Sequence, residues 1–255
     1  MELQKKELKM LYNSDCLDVL PTLADESIDL ILVDLPYKET GNSWDNKLLD
    51  TALLFDHHRR ILKNGGCIAM HSTMKFAQEL IRNGQDLYKY DIVWEKDNGT
   101  NFVSAKWQPI RIHEYILIFG KGRVTHGKSD PMKYNPQFTK GDPYEQYSGK
   151  SSENWKGAPL KRTLTKNDGY RYPKTIQKFK RDRGLHPTQK PVALAEFIVK
   201  SFTDPGDVVL DYCMGSGTSG VAALNNERHF IGVEKEKKYF DIARERLIDV
   251  LYKAP

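Results

Sequence analysis

Two short stretches of the chain combine residue types that could do chemistry. The first is Asp34-Leu35-Pro36-Tyr37, where a carboxylate, a rigid turn and an aromatic face follow directly on the apolar run from Ser27 to Val33. Read as a strand, that run carries the four residues to the carboxyl edge of a sheet, the edge at which open α/β sheets bind ligands. Taken alone, four such residues read better as a polar strand end before a proline turn. Their relation to the second stretch changes that. It runs Asp207-Val-Val-Leu-Asp211-Tyr-Cys-Met-Gly215-Ser-Gly217-Thr-Ser-Gly220, a strand entering a glycine turn that opens a helix.

The glycines fit G-x-G-x-x-G, and Glu234 stands 19 residues after Gly215 at the end of the next apolar run. This is the layout of a nucleotide-type βαβ unit, in which glycines let a cofactor approach the backbone and the acid accepts ribose hydroxyls. A glycine turn that only packs helix on strand is the weaker account. Two observations separate the rival cofactors. A dinucleotide domain builds its remaining strands after the fingerprint, yet only 35 residues follow Gly220. A pyrophosphate would also sit unfavourably near Asp211, whereas the sulfonium and ammonium of S-adenosylmethionine would be attracted to it.

These elements need a sheet to hold them. Short strands are expected at Leu8 to Tyr12, Ser27 to Val33, Cys67 to Met70, Asp91 to Trp94 and Glu114 to Phe119, with helices over Asn46 to Leu62 and Thr73 to Arg82. The helix over Asn46 to Leu62 is expected to stop at Asn64-Gly65-Gly66, and Glu95 to Trp107 reads as loop. From Gly120 to about Leu185 the periodicity fades into an irregular insert. Helix, strand, helix, strand and helix then follow at Pro191 to Phe202, Asp207 to Leu210, Thr218 to Asn225, Phe230 to Val233 and Glu236 to Leu251. Phe240, Ala243, Leu247 and Leu251 share one face of the last helix, a core stripe. The fold class is α/β with a parallel sheet.

The 255 residues suffice for one large domain with a subdomain, and 39% hydrophobic against 29% charged content excludes global disorder. The charged start, Met1 to Lys9, and the lack of a long apolar run predict neither signal peptide nor membrane span, and a cytoplasmic chain. Cys16, Cys67 and Cys213 form no CxxC pair, and no spaced His/Cys ligand set appears, so reduced thiols and no metal are expected. The net charge of +5 hides an asymmetry: residues 121–190 hold 17 Lys/Arg against 6 Asp/Glu, with eight aromatics interleaved. That mixture suits phosphates and bases, although a solvated basic loop would show the same charge.

The combination resembles the DNA amino-methyltransferases, in the permuted group where the catalytic tetrapeptide precedes the target-recognition region and the cofactor loop comes last. The family's Asp-Pro-Pro-Tyr stands here as Asp34-Leu35-Pro36-Tyr37, and its glycine signature matches at Asp211, Gly215, Ser216, Gly217 and Thr218. Asn13-Ser-Asp15-Cys16, Trp44-Asp45, Ile92 to Asn98, His113-Glu114, His186 to Pro191 and Phe230 to Glu234 match as well, and together they are similar to the small enzymes of phages and mobile elements.

The resemblance implies a Rossmann-like S-adenosylmethionine-dependent methyltransferase sheet, circularly permuted, with residues 1–119 as the catalytic half, 120–185 as a basic target-recognition insert and 186–255 as the cofactor-binding half. By the same resemblance, Asp34 and the Leu35 carbonyl accept from the target amino group. Pro36 shapes the turn, and Tyr37 stacks on a base swung out of the duplex. Asp15 and Cys16 would hold the cofactor adenine, Glu234 its ribose, and Asp211 with Gly215, Ser216, Gly217 and Thr218 its methionine part. Thr188 and Lys190 would meet the methionine carboxylate.

The implied reaction is methylation of adenine N6 in a specific double-stranded DNA sequence, with cytosine N4 as the alternative. Asp34, where cytosine-N4 members more often carry serine, favours adenine. A homodimer and a cognate restriction nuclease are the further partners the resemblance allows. None of the three cysteines follows a proline, which disfavours carbon-5 cytosine chemistry. A DNA-binding protein without catalysis and a nicotinamide oxidoreductase are the competing classes. Leu35, Lys38, Tyr212 and Cys213 depart from the family pattern, around the tetrapeptide and the cofactor loop.

Overall fold

A computed structural model describes residues 10–36, 49–125, 129–147, 163–182 and 189–253. Tyr37, Lys38 and Thr188 lie outside them, as do Trp44-Asp45 and the first half of the His186 to Pro191 stretch. Two compact units form, one from Met1–Asn135 with Thr175–Pro255, the other from Pro136–Lys174.

The described strands of the larger unit are β1 (Leu11–Tyr12), β2 (Ile28–Val33), β3 (Leu62–Ser72), β4 (Tyr88–Thr100), β5 (Arg111–Gly120), β10 (Ile176–Phe179), β11 (Val208–Asp211) and β12 (His229–Val233). They form one sheet in the order β1-β12-β11-β2-β3-β5-β4-β10, with β5 antiparallel to both neighbours and the other pairs parallel. Helices α2 (Thr51–Ile61) and α3 (Met74–Asn83) cover one face, and α4 (Val192–Phe202), α5 (Thr218–Asn225) and α6 (Lys237–Lys253) the other. A short α1 (Cys16–Val19) follows β1.

Burial on both faces explains why the central strands read as continuous apolar runs. In β2, Ile31 and Val33 join the core under α2 and α3, while Leu30 and Leu32 join the core under α4 and α5. The same alternation sends Ile68 and Met70 of β3 one way and Cys67 and Ala69 the other. From β2 the chain crosses to β3 on one side, and from β11 it crosses to β12 on the other. The carboxyl ends of β2 and β11 therefore flank a topological switch point, where such sheets open a crevice.

Several expected elements shift. Helix α2 starts at Thr51, where Asp50 caps it by accepting from the Ala52 and Leu53 amides at 3.0 and 3.2 Å. It ends at Ile61, before the expected glycine stop, because Leu62 is already extended and paired with Ile28. The glycines fall inside β3, with Gly65 at φ +77° in the irregular register between the Ile28 and Leu30 pairings. Strand β4 continues through Glu95 to Thr100, which read as loop, because β10 pairs with Val93 to Lys96 on one side and β5 on the other. Strand β10 itself lies in the stretch expected to be irregular. The elements from Val192 onward fall within two residues of expectation.

Gly220 sets how closely α5 packs on β12. A Cβ there would lie 2.6 Å from Phe230 Cε1 and 2.8 Å from Leu247 Cδ2. Gly220→Ala is expected to cost about 1–3 kcal/mol through overpacking and to lower the thermal midpoint by several degrees; an unchanged midpoint would show that both side chains yield freely.

In the smaller unit, β6 (Thr139–Lys140) pairs with β9 (Tyr170–Arg171) and β7 (Tyr144–Tyr147) with β8 (Leu164–Asn167), all antiparallel. Phe138 packs its ring 4.8 Å from that of Tyr172, and the Arg171 guanidinium lies 4.6 Å from the Tyr144 ring centre. Tyr147 and Tyr172 stay exposed. No described helix is long and apolar enough to cross a membrane.

Candidate active site

A cavity of about 300 Å³ opens at the switch point. Asp34 follows β2, Asp211 ends β11, Glu234 follows β12 and His71 lies near the end of β3, so four neighbouring strands deliver titratable side chains to one edge. Asp15, Cys16, Pro36, Lys190, Gly215, Ser216 and Thr218 also line it. Leu35 turns its side chain into the core, and Gly217 is absent from the lining. Gly217 instead shapes the loop: it caps α5 at φ +79°, and a Cβ would come within 3.0 Å of Ala243 Cβ.

The acids are held in different ways. Glu234 accepts the Gly215 amide on Oε2 and the Glu236 amide on Oε1, both at 2.8 Å. Burial still holds its carboxyl above the usual range, against the pull of those bonds. Asp211 accepts the Cys213 amide at 3.0 Å and the Ser219 hydroxyl, and is pushed up to about 7. Burial is the main cause, and the charges of Asp34 and Glu234 add to it. Asp15 caps α1 through the Leu17 amide at 3.1 Å and accepts Lys235 Nζ at 2.9 Å. The side chain that caps α1 thus also borders the cavity.

Asp34 differs from the others. Its Oδ2 accepts Lys190 Nζ at 2.5 Å, while Oδ1 is buried and has no hydrogen-bond partner among the described residues. A buried carboxylate oxygen without a partner costs free energy unless a ligand donates to it. Lys190 Nζ is also 3.5 Å from Glu114 Oε2.

Tyr212, one of the departures from the family pattern, is 1% exposed and hydrogen-bonds His58 Nε2 at 3.1 Å. Burial, with help from His57 and Arg59, drives His58 down to about 3, so this imidazole is neutral. The tyrosine thereby ties the start of the cofactor loop to α2. Neighbouring Cys16, together with burial, raises the Cys213 thiol well above the usual range. Trp94 is core, with Nε1 donating to the Phe179 carbonyl at 2.9 Å.

His71, Ser219 and Tyr239 line the cavity without having been singled out in the sequence. Ser219 lies inside the glycine signature and could have been found there. His71 carries no local signal beyond ending a buried strand.

The residues present fit S-adenosylmethionine. Burial and mutual repulsion raise Asp211, and no described residue offers it a cation by hydrogen bond, so a sulfonium or ammonium would offset the unfavourable charge. Glu234, Gly215, Ser216 and Thr218 line the same cavity.

Residues 28–245 match the sequence profile of the DNA methylase family N6_N4_Mtase. The Type II methyltransferase M.BglII of Bacillus subtilis is 28% identical over 261 residues, covering 95% of this chain and 70% of that protein. The Type II methyltransferase M2.MboI of Moraxella bovis is 25% identical over 265 residues, covering 94% and 88%. Among solved structures, the M1.HpyAVI–SAM complex superposes with a TM-score of 0.62 at 24% identity, covering 93% of this chain and 98% of that one. The cytosine-N4-specific PvuII DNA methyltransferase gives 0.63 at 16% identity, covering 95% and 91%. With that match spanning most of the sheet and both chemical stretches, the chain belongs to the N6_N4 DNA methylases, site-specific amino-methyltransferases that use S-adenosylmethionine.

Proposed function

We propose that the chain methylates the N6 amino group of adenine in a specific double-stranded DNA sequence. The observation that carries this reading is the Asp34 carboxylate at the cavity that also holds Asp211 and Glu234: Lys190 takes its Oδ2, and no described residue hydrogen-bonds its Oδ1. An exocyclic amino nitrogen is a poor nucleophile because its lone pair is conjugated with the ring. An acceptor on its N–H groups helps it toward tetrahedral geometry as a methyl carbon approaches. Asp34 Oδ1 and the Leu35 carbonyl would be those acceptors, with Pro36 fixing the turn and Tyr37 stacking on the extruded base. Asp34 need not remove a proton before attack.

Bound S-adenosylmethionine supplies an electrophilic methyl group. Asp211 and the Gly215 to Thr218 turn would hold its methionine end, Thr188 and Lys190 its carboxylate, Glu234 its ribose, and Asp15 with Cys16 its adenine. The unit Pro136–Lys174 would read the target, because it offers exposed Tyr147 and Tyr172 within a basic stretch.

Digesting DNA methylated by the protein to nucleosides and analysing it by mass spectrometry tests the reading. N6-methyladenine is the expected product. N4-methylcytosine alone overturns the adenine assignment and leaves the amino-methyltransferase chemistry in place.

A further inference from the structure

The two-residue periodicity of the sheet changes character at its functional edge. Leu30 and Leu32 of β2, Cys67 and Ala69 of β3, Ile118 and Ile116 of β5, and Ile92 and Trp94 of β4 all belong to the core under α4 and α5. The next residue in each of those rows is Asp34, His71, Glu114 and Lys96. Four adjacent strands thus end an apolar face in a row of titratable groups, and the chain entering α4 lays Lys190 against it.

Contacts run along the row. Lys96 Nζ donates to Glu114 Oε1 and lies 5.4 Å from the Trp94 ring centre. Glu114 Oε2 faces Lys190 Nζ at 3.5 Å, and that nitrogen donates to Asp34 Oδ2 at 2.5 Å. Side-chain exposure is 5% for Lys96, 15% for Glu114, 12% for Lys190 and 25% for Asp34, so solvent screens these charges weakly. Burial opposes the charge on Glu114, but Lys190 and Lys96 outweigh it and bring its carboxyl down to about 2. His71, driven to about 4 by burial and then by Lys190, is neutral. The charges therefore alternate and cancel, the condition under which a buried ionic network is tolerated.

We propose that Glu114 is a positioning residue for methyl transfer: through Lys190 it fixes the Asp34 carboxylate so that Oδ1 faces the amino group, with Lys96 anchoring Glu114 from behind. The proposal rests on Asp34 being the acceptor. Lys190 alone could follow Asp34 through any rotation of the carboxylate. Tied to Glu114 as well, it becomes a fixed point that takes Oδ2 and leaves only Oδ1 for the base. Bringing this about takes three chain segments besides the tetrapeptide, and neither Glu114 nor Lys96, both absent from the cavity lining, needs to touch the methyl donor.

The test compares wild type with Glu114→Gln, Lys96→Met and the double variant. Methyl transfer to duplex DNA is followed in single-turnover experiments, S-adenosylmethionine binding by calorimetry, and the thermal midpoint for each protein. Glu114→Gln is expected to slow transfer on the order of 10- to 100-fold, with the DNA KM and the cofactor Kd little changed. The double variant no longer buries Lys96 without a counter-charge, so it should recover thermal stability but not rate. A wild-type rate in Glu114→Gln overturns the proposal, and so does recovery of rate together with stability in the double variant, since Glu114 would then only neutralise Lys96. A wild type that transfers no methyl to any DNA refutes the transferase reading itself, whereas an active wild type with an unaffected Glu114→Gln refutes the relay alone.

Discussion

Replacing Asp34 with alanine will slow methyl transfer about 10²- to 10³-fold while leaving S-adenosylmethionine binding nearly intact. The size follows from removing a preorganised acceptor aimed at the nitrogen whose charge changes in the transition state. Binding survives because the groups assigned to the donor, Asp211, Glu234 and the glycine turn, stand on other strands. Asp34→Asn should be no better than alanine. Lys190 donates at 2.5 Å and will select the amide oxygen, which turns the amide NH₂ toward the cavity, where it opposes the amino group of the base as donor against donor. Single-turnover rates with saturating cofactor, and calorimetry of the same variants, give both quantities. Full transfer by Asp34→Ala would remove Asp34 from the mechanism, and strong transfer by Asp34→Asn would mean that Lys190 does not orient this side chain.

Much of this site could be read from residue order because its parts sit where local rules are strong. The run from Ser27 to Val33 is buried on both faces, so the sequence shows where β2 ends and hence where Asp34 must emerge. The glycine turn announces itself because Gly215 and Gly217 take positive φ and Gly220 faces Phe230 with no room for a methyl. Pairing among distant segments was not legible. Glu95 to Thr100 looks like loop by composition, and it is strand because β10 pairs with Glu95 and Lys96 and β5 with Glu95 and Thr100, partners that no propensity scale contains. Strand β10, four residues with only Ile176 and Phe179 apolar, is likewise strand through its pairing with β4. Lys190 matched a family motif, yet its partner Asp34 lies 156 residues away, and only the fold brings the two together.

Asp211 couples the cofactor to pH, and its substitution is the second large effect expected. Its carboxyl is pushed up to about 7, chiefly by burial, so near neutrality it is partly protonated when no cation is bound. A cationic donor favours the ionised form and must displace that proton. The wild-type Kd for S-adenosylmethionine should therefore weaken by about tenfold between pH 8 and pH 6. Glu234, raised by burial as well, acts in the same direction, so Asp211→Asn should flatten most of this dependence while raising Kd about ten- to a hundredfold at pH 8.

Stability should move the opposite way. Because the folded-state pKa of Asp211 lies above its unfolded value, its contribution is fully present below the unfolded pKa and is lost as pH rises through about 7. Above that pH the cofactor-free protein carries a buried charge, and Asp211→Asn should raise its thermal midpoint even as it forfeits ligand binding. Calorimetric titrations and melting curves at pH 6, 7 and 8, with and without cofactor, separate the two effects. A pH-independent Kd in the wild type, or an asparagine variant that binds as tightly, would show that this carboxylate does not meet the cationic end of the donor.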